Sequence, residues 1–306
     1  MNWIETQEKS SEILYSGIYY LINSEKNKLK NLPSSFSGIF LISNGIMKYI
    51  NYADNIEKLK KIEREKESSY FFRTYKELKS YNPLTPENLS YEDFEIQLLE
   101  ENFATRELVE FGIEQIPCFL QPQLHKKLGL QIGGEYIEKA LPENINGKLW
   151  LETLKLKEII FEEGFNYLEN LKPSKLTSLT NDIDLNKIEY LNSTNTFSFP
   201  GILIIEHPEY GVFHIQESYK MADVYMNIIS NNFFKSPALN KIYTILNIDK
   251  VNYPHKRIMI GRDLNKEKIS KFKMDMKVKF LPVKIGRVEF AEFIRNKYKS
   301  QQKYFC

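Results

Sequence analysis

The chain has 306 residues, 42% of them hydrophobic and 13% aromatic, which excludes global disorder and favours two domains over one. Two cysteines, Cys118 and Cys306, exclude a disulfide framework and a cysteine-based zinc site, so a reducing, cytoplasmic setting is expected. The first residues lack the features of an export signal, and no apolar run approaches the roughly 18 residues of a membrane span. We therefore expect no export and no membrane partner.

The net charge of +2 conceals a strong asymmetry along the chain. Residues 251–306 contain 15 Lys and Arg against 5 Asp and Glu, whereas the first 250 residues contain 27 against 35. A basic end suggests a polyanionic partner, and the acidic region 1–250 is a candidate surface for a protein partner. A solvated, lysine-rich surface without a partner explains the same counts.

The N-terminal half predicts helices around one hairpin. A helix is expected over 5–28, then a hairpin from Ser37 with a two-residue Asn44-Gly45 turn. That turn places Ser43 opposite Ile46, Phe40 opposite Tyr49 and Ile39 opposite Ile50. Helices are predicted over 54–66 and 69–79, a strand through Phe94, Ile96 and Leu98, and a helix from Thr105 to Ile116.

This element order, over Ser37 to Ile116, resembles the GIY-YIG endonuclease domain. In that family two hairpin tyrosines activate water, an arginine stabilises phosphate charge and a glutamate holds one divalent cation. The matching positions here are Phe40, Tyr49, Leu59 and Gly112, so three of the four functional groups are missing. The resemblance therefore implies an inactive nuclease fold, with Phe40 and Tyr49 as a packed pair and Leu59 in the core. A set of migrated residues, Tyr49, Tyr52, Lys60 and Glu110, is the alternative.

The C-terminal half predicts a second hairpin among helices. After a connector over 121–150, the pattern gives a helix over 151–172 and a hairpin with its turn at Pro208–Gly211. That turn pairs His207 with Val212, Leu203 with Gln216 and Gly201 with Ser218, and places Ile202, Ile204, Phe213 and Ile215 on the core face. The remaining predicted elements are a helix over 220–246, a strand over 256–262, a helix over 265–276, a strand over 278–284 and a helix over 287–299.

This order, over residues 151–298, resembles the restriction-endonuclease-like PD-(D/E)XK fold, in which two acids and a lysine bind metal and activate water. Pro200-Gly201 stands at the Pro-Asp position, and Gln216-Glu217-Ser218 stands at the Glu-x-Lys position. All three catalytic groups are absent, although Glu217 with Lys220 is a candidate migrated pair. The resemblance again implies a fold that has lost its site.

Basic residues follow in a dense run, interleaved with phenylalanines, which is typical of a surface that contacts phosphates. The candidate nucleic-acid-binding residues are Lys256, Arg257, Arg262, Lys266, Lys268, Lys271, Lys273, Lys277, Lys279, Lys284 and Arg287.

Together these patterns predict an α+β or α/β fold with two small mixed-sheet domains, 1–120 and 151–306, each a central sheet flanked by helices. The expected function is nucleic-acid binding by diverged, inactive nuclease folds, with DNA favoured over RNA, as in a subunit of an antiviral defence or restriction-type system. One alternative is an active endonuclease, which would need Mg²⁺ as cofactor. The other is a protein–protein scaffold.

Overall fold

The computed structural model describes residues 1–44, 48–73, 90–100, 103–115, 145–176, 199–229, 236–248 and 267–304. The chain divides into two compact units, Met1–Ile160 and Phe161–Cys306. Each unit contains a four-stranded antiparallel sheet flanked by helices, which confirms the predicted α+β fold with two domains. Of the predicted connector over 121–150, residues 121–144 lie outside the described part of the chain.

The first unit combines helices with a sheet of strand order β1-β4-β2-β3. Its strands are β1 (Asn27–Lys28), β2 (Gly38–Ser43), β3 (Lys48–Ala53) and β4 (Glu95–Glu100). Its helices are α1 (Trp3–Glu8), α2 (Ser10–Ile22), α3 (Glu57–Glu65), α4 (70–73), α5 (Thr105–Gln115) and the start of α6 (Lys148–Glu169), which contains the boundary between the units.

Helices cover both faces of this sheet. Side chains alternate along a strand, so Phe40 and Ile42 share one face, where they pack with Leu59 of α3 and with Phe71 and Phe72 of α4. The opposite face lies against α2 and α5. Because both faces are covered, β2 is buried along its whole length.

The first hairpin has a different register from the predicted one. Ser43 pairs with Lys48, and Phe40 pairs with Asn51 rather than with Tyr49. The connection is therefore two residues longer than the predicted Asn44-Gly45 turn, of which Gly45 lies outside the described residues. A shift of two residues keeps every side chain on its face, so the core prediction survives the error in register.

The predicted helix over 5–28 is wrong at its C-terminal end. α2 ends at Ile22, and Asn27–Lys28 form a strand that pairs with β4. The last carbonyl groups of a helix need partners from outside it. Nε2 of Gln97 lies 3.1 Å from the carbonyl of Leu21, 2.6 Å from that of Ile22 and 3.1 Å from that of Ser24, so this one amide serves the helix end.

The second unit has the strand order β5-β8-β6-β7. Its strands are β5 (Ser174–Lys175), β6 (Gly201–His207), β7 (Gly211–Ser218) and β8 (Lys277–Pro282). Its helices are the end of α6, then α7 (Met221–Ile229), α8 (Pro237–Ile245), α9 (267–274) and α10 (Arg287–Ser300).

The predicted pairs Gly201–Ser218 and Leu203–Gln216 are confirmed, but His207 pairs with Gly211 instead of Val212. A β-bulge between Ile205 and Glu206 adds one residue to the opposite strand and changes the register there. Phe213 consequently packs with Leu203 and Ile205 rather than with the predicted set. Both faces of this sheet are buried, as the 0% exposure of Ile202, Leu203, Ile204 and Ile205 shows.

The predicted long helix over 220–246 is two helices, α7 and α8, with residues 230–235 outside the described part. Pro237 occupies the first turn of α8, and the Ser236 hydroxyl accepts a hydrogen bond from the backbone N–H of Leu239 at 3.4 Å. Proline in the first turn after a capping serine is a helix start. The Ser-Pro pair at 236–237 carries this signal in the sequence.

Candidate functional sites

Apolar packing occupies the position that the GIY-YIG resemblance assigns to chemistry. Phe40 and Leu59 are both fully buried in one cluster, as predicted. Tyr49 lies diagonally across the hairpin from Phe40, with ring centroids 5.8 Å apart, and its hydroxyl accepts a hydrogen bond from Nδ2 of Asn51 at 2.5 Å. Phe71 packs on the other side of Tyr49 at 5.4 Å. The tyrosine is therefore held as a half-buried member of an aromatic cluster.

Gly112 stands where the resemblance places the metal-binding glutamate, and it has no room for a side chain. A Cβ atom there would lie 2.6 Å from Cδ1 of Ile50 and 2.8 Å from Cδ1 of Ile18. Because this glycine brings α5 close to α2 and β3, a carboxylate at this position would displace the core. The close approach of α5 to α2 and β3 therefore depends on the absence of a side chain at Gly112.

The alternative set, Tyr49, Tyr52, Lys60 and Glu110, is not brought together. Tyr49 and Tyr52 are three residues apart in β3, so their side chains lie on opposite faces of the sheet. Lys60 pairs with Glu57 at 3.7 Å on α3, which covers the face of Tyr49. Glu110 belongs to α5, which covers the other face. No single substrate atom is within reach of all four.

Gly201 stands at the aspartate position of the PD-(D/E)XK resemblance and is equally confined. A Cβ atom there would lie 2.4 Å from the carbonyl oxygen of Leu281 and 3.4 Å from Cγ of Met221. Leu281 belongs to the neighbouring strand β8, so the obstacle is backbone. The absence of a side chain at Gly201 permits this close strand contact.

The Gln216-Glu217-Ser218 segment makes structural contacts. Gln216 Oε1 lies 3.2 Å from Nε2 of His214, and Glu217 pairs with Arg295 at 3.3 Å. The Ser218 hydroxyl accepts from the backbone N–H of Lys220 at 3.0 Å. The candidate pair Glu217 and Lys220 is thus replaced by an ion pair between Glu217 and Arg295. Burial lowers the pKa of His214 to about 4, so its imidazole is neutral at pH 7.

The candidate nucleic-acid-binding residues divide by exposure. Lys256, Arg257, Arg262 and Lys266 lie outside the described residues. Lys273, Lys279 and Arg287 are buried, which corrects their assignment to a phosphate-binding surface: Lys273 donates to the carbonyl of Ile228, and Arg287 lies over the ring of Tyr219 at 3.7 Å. Lys284 is half-buried. The exposed members are Lys268 and Lys271 on α9, called here the lysine surface, and Lys277 at the start of β8.

A cavity of about 570 Å³ opens beside the turn of the second hairpin. It is lined by the ends of β6 and α6, the start of β8 and the residues after α10, all within the second unit. Its wall contains Glu169, Glu206, Lys279 and Tyr298. Lys279 lies 3.2 Å from Glu206 and 3.9 Å from Glu169, and the Tyr298 hydroxyl donates to Glu169 at 2.6 Å. Burial and this hydrogen bond raise the pKa of Tyr298, so the phenol stays protonated.

The sequence patterns single out Lys279 as a basic residue but do not place it beside Glu206 and Glu169. Lys279 lies two residues inside β8 and pairs with Ile204, two residues before Glu206, so strand alternation places both on one face. That neighbourhood requires knowing that β8 pairs with β6. The approach of Glu169 depends on where α6 ends, for which the sequence offers no comparable signal.

No protein-family model, no curated protein and no solved structure matches this chain. In the described part of the chain, no three His, Cys, Asp or Glu side chains are grouped so that they could hold a metal ion. Within the same residues, no helix is both long and apolar enough to cross a bilayer.

Proposed function

We propose that this protein binds nucleic acid without cleaving it, using the lysine surface of its second unit. The observation that carries the proposal is the pair of glycines, Gly112 and Gly201, at the positions where both resembled nuclease families need an acid. A Cβ atom at Gly201 would meet strand backbone and one at Gly112 would meet the side chains of Ile18 and Ile50, so a whole acidic side chain fits neither position without displacing its neighbours. Binding to phosphates needs only positive charge on a fixed surface and survives that loss.

The lysine surface and Lys277 supply such charge on ordered elements. Lys268 and Lys271 are three residues apart on α9 and therefore share one side of the helix, and Lys277 begins β8. All three are exposed, whereas their neighbour Lys273 points its ammonium group into the protein. The basic balance of residues 251–306 supports the same assignment.

Lys271 and Lys273 offer a matched pair for the test. Lys271→Ala should weaken binding of labelled duplex DNA and reduce the slope of log K against log salt by about 1, because one phosphate contact is lost. Lys273→Met should leave affinity and slope unchanged, since the buried ammonium contacts no ligand. Equal effects of the two substitutions, or binding insensitive to salt, would contradict the proposal.

Metal-dependent cleavage is the second candidate, and one observation favours it. Two glutamates and a buried lysine, Glu169, Glu206 and Lys279, meet on the wall of an open cavity, and Mg²⁺ is commonly held by one or two carboxylates plus substrate phosphates. Against it, Lys279 already engages these carboxylates. Shortened probe that appears with Mg²⁺ and disappears in Glu206→Gln would establish this candidate over the first.

We also propose a cellular compartment and a class of assembly for this protein. The scarcity of cysteine suits the cytoplasm, and a nucleic-acid-binding protein built from inactive nuclease folds suits a subunit of a defence or restriction-type system. DNA is favoured over RNA as the ligand. A protein that binds no nucleic acid, but captures a partner through the acidic region 1–250, would instead be a scaffold.

A further inference from the structure

The cavity beside the second hairpin turn has a size that suits a small ligand. Its volume of about 570 Å³ lies in the range of about 300–1,000 Å³ that is typical of ligand pockets. Phe272 of α9 stacks on His207, which lines the cavity. Because α9 also carries Lys268 and Lys271, the cavity adjoins the lysine surface.

Two rings beside the turn, His207 and Tyr210, line this cavity, and Phe272 lies behind His207. The rings of His207 and Phe272 are stacked, with centroids 4.5 Å apart and planes inclined by 14°. Tyr210 lies 5.0 Å from His207 and 6.0 Å from Phe272, and it is only partly buried. The backbone N–H of Glu209 donates to Nδ1 of His207 at 3.2 Å, which fixes the turn against the stack. Tyr210 is inclined by 43° to His207, so it does not continue this stack, and its own ring is the one that can contact a planar group in the cavity.

The charges around the cavity are balanced. Three glutamates and three lysines line it: Glu169, Glu206, Glu209, Lys277, Lys279 and Lys303. Lys279 is engaged by Glu206, while Lys277 and Lys303 are exposed. Because the charges cancel, the cavity offers little electrostatic attraction to a free anion such as phosphate. A planar group that donates N–H bonds to carboxylates, with a phosphate reaching the exposed lysines, matches both charge types.

We propose that this cavity takes one unpaired base of a single-stranded nucleic acid, with Tyr210 as the stacking partner and Lys277 and Lys303 at the phosphate. The inference rests on the proposed function and narrows its ligand from nucleic acid in general to strands with accessible bases. A duplex, whose bases are stacked and paired, contacts the lysine surface alone.

The experiment compares fluorescence anisotropy of a labelled strand of about ten deoxycytidines with that of a labelled DNA duplex. Tyr210→Ala should weaken single-strand binding about tenfold, within the usual contribution of one aromatic–base stack, and leave duplex binding unchanged. Tyr210→Phe should bind like the wild type because the ring is kept. Tyr167→Ala, which removes an exposed tyrosine of α6 outside the cavity, is the control, and thermal unfolding checks that every variant is folded.

A second pair of variants tests the phosphate end. Lys303→Ala should weaken single-strand binding several-fold, whereas Lys299→Ala, an exposed lysine that does not line the cavity, should not. Cytidine monophosphate should compete with the labelled strand, and inorganic phosphate at the same ionic strength should not, since it brings charge without a base.

Each alternative result is informative. Equal single-strand affinity in Tyr210→Ala and Tyr167→Ala, or equal competition by phosphate and the nucleotide, would overturn the cavity assignment. In that case intact duplex binding would leave the proposed function standing. Absence of binding to both probes by the wild type would overturn the proposed function and the cavity assignment together.

Discussion

The substitution Gly201→Ala tests how closely β6 and β8 pack at this glycine in the second unit. The added methyl group would lie 2.4 Å from the carbonyl oxygen of Leu281, about 1 Å inside ordinary contact, and the obstacle is backbone of the adjacent strand. Overpacking of this kind costs about 1–3 kcal/mol. Displacing β8 should also weaken a ladder hydrogen bond, at about 1 kcal/mol. Alanine also lowers the conformational entropy of the unfolded chain, which stabilises the folded protein by about 0.4–1 kcal/mol. We therefore expect a net loss of about 2 kcal/mol.

Urea denaturation followed by far-ultraviolet circular dichroism measures this loss. Gly112→Ala is the matched control, because its Cβ atom would meet only the terminal methyl groups of Ile18 and Ile50, which can move. Its overpacking should cost about 1 kcal/mol, at the low end of the range, and the gain of about 1 kcal/mol from alanine in the interior of α5 should offset this, so we expect almost no net change. A Gly201→Ala protein with the midpoint of the wild type, or a smaller loss than in Gly112→Ala, would refute the reasoning.

Three further predictions concern buried positions. Leu59→Arg places an arginine where the resembled family has one. Because Leu59 is fully buried, the variant should lose about 3 kcal/mol or more of its free energy of unfolding and should not cleave DNA. Cleavage of DNA by the variant would contradict this prediction. Burial lowers the pKa of His214 to about 4, so on acidification this histidine is protonated in the unfolded protein before it is protonated in the folded protein. The free energy of unfolding, measured by urea denaturation, should therefore fall by about 2 kcal/mol between pH 6.5 and pH 5. His214→Asn should remove most of this fall, and a variant with the pH profile of the wild type would contradict the shift. Burial lowers the pKa of Lys273 to about 8, so stability should rise between pH 8 and pH 10 in the wild type relative to Lys273→Met, and parallel profiles would exclude the shift.

The fold class was readable from the sequence because period-two and period-3.6 patterns mark strands and helices directly. The core position of Phe40 was also predictable, since a register error of two residues keeps faces unchanged. The predicted register of the second hairpin was wrong at His207, because a β-bulge adds one residue to β7 and no local sequence pattern indicates it.

The candidate sites were less predictable for a physical reason. Whether a lysine is exposed depends on the elements that cover it, so Lys271 and Lys273, two residues apart, have opposite environments. The cavity joins Glu169, Glu206 and Lys279 from three separate elements, and only the pairing of β8 with β6 brings the last two together. The glycines at 112 and 201 were visible in the sequence, but the crowding around them could be known only from the packing.

The central claim is binding without cleavage, and one gel series tests it most directly. Labelled double-stranded and single-stranded DNA and RNA are incubated with the protein in Mg²⁺, Mn²⁺ or EDTA, each at low and high salt. We predict a mobility shift that weakens with salt, with probe of unchanged length in every metal condition. Shortened probe that requires metal would contradict the claim and favour catalysis at Glu169, Glu206 and Lys279, whereas intact probe with no shift at any salt concentration would leave only the scaffold role.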